Sequence, residues 1–180
     1  MIQKILPPII RLKFALTSRE KASQTIQDEL VRYLDLGESF GAEKGTEQKQ
    51  INPMLGVDED MRSWSFYQIL EHNTIVNHRI TGATMRLVKG EPPDESEKKF
   101  NVKTDVMPAG DAGADEVEKF RASVEAHLEA VDSLANLKGT DTSPHTFFGP
   151  FDAHKWHCMF GFHLEIHRKQ AEALSRLVLR

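Results

Sequence analysis

The strongest constraint in this sequence is a helical spacing of apolar residues that recurs four times between polar connections. After Thr17 and Ser18, either of which can cap a helix, Ala22, Ile26, Leu30 and Tyr33/Leu34 recur at steps of three and four, up to Gly37. A second pattern starts near Ser63 or Ser65 and runs to about Val88, where Gly90 stops it. Its stripe is Ile69, His72, Val76, Ile80 and Ala83. A third begins near Ala114, with Asp115, Glu116 and Glu118 suited to the positive end of a helix. Val117, Phe120, Val124, Leu128, Val131 and Leu134/Ala135 form its stripe, and Lys138-Gly139 closes it. The fourth starts at Asp152, a good N-cap, and runs almost to Arg180. Its stripe reads Trp156, Phe160, His163, His167, Gln170, Leu174 and Val178.

No alternating apolar run is long enough to predict a sheet. Four such helices in 180 residues predict an all-α fold, a four-helix bundle forming one domain over residues 1–180. The segment Ile9 to Leu16 is either a fifth helical piece or the beginning of the first helix. Residues 38 to 60, rich in polar groups and glycine, read as a long connection. So do residues 90 to 113, with Pro92, Pro93, Pro108, Gly110 and Gly113. The second helix spans roughly 35 Å. A connection of about 24 residues reaches more than twice that when extended. The second and third helices are therefore free to be antiparallel neighbours or to run parallel after a crossover.

Two of the four stripes carry histidine where apolar residues belong. His163 and His167 are four apart on one helix and so share a face, a spacing at which two imidazoles can grip one metal ion. Eight histidines in 180 residues give roughly 0.3 such pairs by chance, so spacing alone is weak. The face strengthens it, because an unpartnered imidazole is costly to bury beside Phe160 and Leu174. His72 sits likewise between Ile69 and Val76. Three inward imidazoles make a three-nitrogen site with positions left for water or substrate. Gln170 shares the fourth stripe and is a candidate partner for an imidazole. His127, at the edge of the third stripe, and His145, in the loop before the fourth helix, are candidates for pocket lining. His78 lies some 120° around the helix from His72, and His154 and His157 read as exposed or structural.

Other chemistries find less support. One cysteine, Cys158, excludes an internal disulfide and a cysteine-only metal cluster. There is no HExxH motif, no Glu-x-x-His pair, no glycine-rich phosphate loop and no dinucleotide fingerprint. A serine triad is spatial rather than linear, and no motif singles one out, so no catalytic residue is assigned. A formal charge of −4 gives no overall pull toward nucleic acid or anionic lipid. Pro7, Pro8, Arg11 and Lys13 interrupt the first apolar run, unlike a secretory signal. No stretch approaches the roughly 18 apolar residues of a membrane helix. A cytoplasmic chain without nucleic-acid or membrane partners is expected, and the lone thiol fits a reducing compartment.

The segment Trp64-Ser-Phe-Tyr-Gln-Ile-Leu-Glu-His72, followed downstream by His163-Leu-Glu-Ile-His167-Arg-Lys-Gln170, resembles the DinB/YfiT-like superfamily. His145-Thr-Phe-Phe-Gly-Pro-Phe-Asp-Ala-His-Lys-Trp156 is similar to the lead into the fourth helix in one DinB-like branch. The resemblance implies an up-down-down-up four-helix bundle with a long crossover between the second and third helices. It also implies a divalent metal, zinc or nickel, on His72, His163 and His167. Characterised members include transferases and isomerases that use a low-molecular-weight thiol, and homodimers are frequent among them. A metal-dependent S-transferase or hydrolase acting on a small molecule is therefore expected. The alternative is a non-enzymatic metal-binding or structural bundle protein of a stress response. Lys169 stands where many relatives have glycine, and the two long connections depart from the usual pattern, so a relative's substrate does not carry over directly.

Overall fold

The computed structural model describes residues 2–92, 101 and 103–180, with side chains from residue 7 onward. Residues 93–100 and 102, within the long 90–113 connection, lie outside the described residues. The chain is mostly helical. In order it forms α1 (Ile2–Leu16), α2 (Arg19–Lys44), a short 3-10 turn (Glu59–Ser63), α3 (Phe66–Lys89), α4 (Glu116–Asp132), β1 (Ser143–His145), β2 (Gly149–Phe151) and α5 (Ala153–Val178).

The segment before Thr17 is a helix of its own. Ser18 caps α2 by accepting from the Lys21 amide, which separates the two. Ile10 and Phe14 anchor α1 in the core, with Phe14 edge-on to Phe151 and Phe162. The first long helix also runs past Gly37, where the sequence pattern ends. Buried Phe40 stacks on Phe66 and rewards another turn of helix. The break comes at Gly41, whose φ of 63° and extended ψ lie outside the helical range.

The predicted start and stop of α3 match the structure. Ser65 and Gln68 form a reciprocal capping box, and Gly90 ends the helix in the left-handed conformation. α4 stops at Asp132, several residues before the Lys138-Gly139 signal. Beyond it the Asn136 side chain takes over local pairing, accepting from the Lys138 amide and donating to the Lys138 carbonyl. Asp152 caps α5 as expected, accepting from the Lys155 amide. A two-stranded antiparallel pair, Ser143 opposite Phe151, precedes it; three residues per strand are too few to leave an alternating pattern.

α5 is the central element and packs on α1, α2 and α3, while α3 also packs on α4. Partners along these contacts fall in a consistent order. Asn77 bonds Ser123 and Thr81 bonds His127, advancing together along α3 and α4. Ser23 meets His157 near the start of α2 and α5, whereas Tyr67, at the start of α3, bonds the Gly41 and Gly45 carbonyls at the far end of α2 and Asn73 meets Tyr33 at its middle. One large cluster built from Ile26, Tyr33, Phe66, Ile69, Phe120, Phe160 and Leu164 forms the core. A smaller one joins Leu87, Val131, Leu137 and Ala153.

Candidate metal centre

Three imidazoles meet between α3 and α5. His72 lies in the second turn of α3, and His163 and His167 lie one turn apart in the middle of α5. One ligand nitrogen from each falls within 4.8 Å of the other two. The His72 and His163 Nε2 atoms face each other at 3.3 Å. The ring centroids of His72 and His167, and of His163 and His167, are each 4.5 Å apart. His72 and His167 are buried, and His163 is half-buried.

The surrounding hydrogen bonds decide which nitrogens carry protons. His72 Nδ1 lies 2.7 Å from the Val106 carbonyl, which can only accept, so Nδ1–H donates and Nε2 keeps its lone pair. For His167 the reasoning passes through Gln170. The Gln170 Nε2 donates to the Met61 carbonyl at 2.7 Å, which orients the amide and turns its oxygen toward His167 Nδ1, also at 2.7 Å. His167 Nδ1–H therefore donates, and its Nε2 is likewise a lone pair. Two unprotonated nitrogens thus converge with His163 Nε2, which lies 3.3 Å from His72 Nε2. A cation accepting electron pairs from all three supplies what this polar cluster lacks, so the residues fit a metal ion.

Charge points the same way. Burial pushes His72 down to about 4, with the Val106 carbonyl opposing. His167 is pushed down to about 3 by burial and then by His72, with Gln170 opposing. Burial, followed by the neighbouring His167, His72 and His145, holds His163 well below its ordinary value. All three are neutral at pH 7, the protonation state a metal ligand requires. Three imidazoles without a carboxylate suit a borderline divalent ion.

Both long connections reach this centre. Met61 and Trp64 come from the 45–65 segment, and the Trp64 ring lies 4.9 Å from the His72 ring. Val106 comes from the 103–113 segment, which is pinned to α3 twice more. The Ala109 amide donates to Glu71 at 2.7 Å, and the Gln68 side chain donates to the Ala109 carbonyl. The carbonyls of Val106 and Met61 escaped sequence reasoning because a main-chain acceptor leaves no side-chain signal.

The remaining histidines divide clearly. His127 is fully buried but bonds Thr81 and His157, away from the three clustered imidazoles. His145 is half-buried among Phe148, Phe151 and Trp156, and its Nδ1 accepts from the amides of Phe147 and Phe148. His78 is exposed. His154 and His157 are buried rather than exposed, and both are hydrogen-bonded inside the fold. His154 Nε2–H donates to the carbonyls of Phe14 and Thr17, tying α5 to the junction of α1 and α2.

No helix among the described residues is long and apolar enough to cross a membrane. A family model described as the DinB superfamily matches residues 30–171, a span that includes all three clustered histidines and Gln170. No curated protein matches the chain, and no solved structure does.

Proposed function

The chain belongs to the DinB superfamily, and from that premise we propose that it is a metal-dependent enzyme. His72, His163 and His167 hold one divalent ion, zinc or nickel. The convergence of three neutral imidazoles between α3 and α5 is the observation that carries this reading. The order of the contacts between helices supports the up-down-down-up bundle, with the 90–113 connection as its crossover.

When bound, such an ion supplies the Lewis acidity that lowers the pKa of a water or thiol toward neutrality. The protein's own groups set the terms. The Val106 carbonyl and the Gln170 amide fix two ring orientations, so both lone pairs are pre-aimed. Because all three ligands are neutral, they cancel none of the ion's charge, which favours an anionic thiolate or hydroxide partner. Cys158 does not supply that thiolate. Burial pushes its thiol up to about 12, and it rests against the Phe14 carbonyl and His154. By resemblance to the thiol-dependent members of the superfamily, the thiol in this proposal is a low-molecular-weight cosubstrate and the reaction is its transfer to a small electrophile; hydrolysis is the variant with water in its place.

The burial of two of the three imidazoles favours one alternative, a metal that stabilises a non-catalytic bundle. A conjugation assay separates the two. Metal-loaded protein is incubated with glutathione, other small thiols and an electrophilic acceptor, and thioether product is counted. Product that disappears in His163→Ala supports the enzyme; silence with every thiol and with ester substrates leaves the structural reading. The functional unit proposed is a cytoplasmic homodimer. Ile9, Leu12 and Leu16 form an exposed apolar line on α1 that a second copy would cover, which sedimentation velocity tests.

A further inference from the structure

A second buried polar chain crosses the core, separate from the three clustered imidazoles, and takes one residue from each of the four long helices. Thr81 on α3, His127 on α4, His157 on α5 and Ser23 on α2 are joined end to end. Thr81 Oγ1 lies 2.9 Å from His127 Nδ1, His127 Nε2 lies 3.0 Å from His157 Nδ1, and His157 Nε2 lies 3.1 Å from Ser23 Oγ.

One end of this chain fixes the direction of every bond in it. The Thr81 hydroxyl donates to the Asn77 carbonyl at 2.7 Å, so it can only accept from His127 Nδ1–H. His127 Nε2 is then a lone pair and accepts from His157 Nδ1–H. That leaves His157 Nε2 as a lone pair facing the Ser23 hydroxyl, which donates to it, while the Arg19 carbonyl beside the ring favours the imidazole once it is protonated. Both imidazoles are fully buried, and His127 is locked by stacking on Phe160 at 3.9 Å between centroids. Ser23 is half-buried and opens on a cleft of about 380 Å³ between α2 and α4, lined also by Arg19, Gln27, Leu128, Glu129 and Asp132.

These are the roles of a nucleophile, a general base and a group that holds the base in the correct tautomer. We propose that Ser23 accepts an acyl group from a thioester or aryl ester bound in this cleft, with His157 as its general base and His127 positioning that base. Ser23 Oγ bonds the carbonyl carbon while its proton passes to His157 Nε2. The bond to the thiolate or phenolate breaks, and the leaving group takes the proton from His157. Water then repeats the sequence and releases a carboxylic acid. A neutral His127 orients His157 without adding the negative charge a carboxylate would bring, which restricts the site to donors with good leaving groups.

The test uses the full-length protein and a fluorophosphonate probe. Ser23 Oγ bonds phosphorus, the P–F bond breaks, and fluoride leaves with the proton that His157 collected. The expected result is one phosphonyl group per chain, mapped to Ser23 by mass spectrometry, formed at least about 100-fold faster in folded than in urea-unfolded protein. His157→Gln abolishes the advantage. His127→Gln, which keeps an acceptor for His157 Nδ1–H, retains most of it, and His127→Leu loses it. A chelator leaves the rate unchanged, because this chain of groups shares no side chain with the metal centre. Labelling of Ser23 no faster in the folded protein than in the unfolded one overturns the proposal, as does labelling that survives in folded His157→Gln or vanishes with chelator.

Discussion

Replacing Gln170 by Leu tests whether the metal centre is held from outside its ligands. Gln170 is 1% exposed and makes two 2.7 Å hydrogen bonds, one with His167 Nδ1 and one with the Met61 carbonyl. Leu keeps most of the volume and neither bond. His167 loses the acceptor that aims its Nε2, and a partner of this kind is worth about 10- to 100-fold in metal affinity. That corresponds to about 1.4–2.7 kcal/mol. The metal-free protein also loses stability, because a carbonyl and an imidazole N–H are left unpaired at about 1–3 kcal/mol each. Gln170→Glu separates the effects. It keeps an acceptor for His167 but removes the donor to Met61, so affinity holds while some stability is lost. The assay is chelator competition for zinc in wild type and both variants, with thermal melts of the metal-free forms. Equal zinc affinity in wild type and a folded Gln170→Leu refutes the reasoning.

Two further perturbations follow from buried charge. The metal-free protein loses stability steadily as pH falls from 6.5 toward 4. Burial holds His72, His145 and His157 at about 4, so they stay neutral in the folded state after the unfolded chain has taken up protons. Each such histidine adds up to about 1.4 kcal/mol per pH unit to the loss. A melting temperature that stays level between pH 6.5 and 4.5 contradicts this. Arg168 and Glu29 form a buried pair at 2.5 Å, and Glu172 also takes the Arg168 guanidinium. Arg168→Ala leaves buried Glu29 with only the exposed Arg32 as an ion partner and costs up to about 3–5 kcal/mol in urea melts, whereas replacing both by Met recovers most of it. A loss below about 1 kcal/mol for the single variant speaks against the pair's burial.

Much of the centre was legible in the sequence because helices project residues with a fixed period. His72, His163 and His167 stand on stripes whose other members are apolar, and that placement brings them within 4.8 Å of one another. Gln170 was visible for the same reason. The Val106 and Met61 carbonyls were not, since any residue offers a carbonyl and only tertiary structure selects one. The pairing of His127 with His157 was equally hidden. Each lies at the edge of its own stripe, and only the packing of α4 on its neighbours turns both edges inward. Boundaries failed where tertiary contact overrode a local signal. Gly37 reads as a stop, yet buried Phe40 carries α2 onward to a break at Gly41. In α4 the apolar spacing continues past Asp132 while the helix does not, because Leu134 and Leu137 reach the smaller cluster from a turn.

The most direct test of the account is the metal content of tag-free protein, by mass spectrometry of the element, in wild type and in His163→Ala. His163 is only half-buried, so its removal leaves the core in place. The account predicts one divalent ion per wild-type chain and none in the folded variant. Wild-type protein that takes up no stoichiometric zinc, nickel, manganese or iron after incubation with each, or a folded His163→Ala that binds as tightly as wild type, contradicts it.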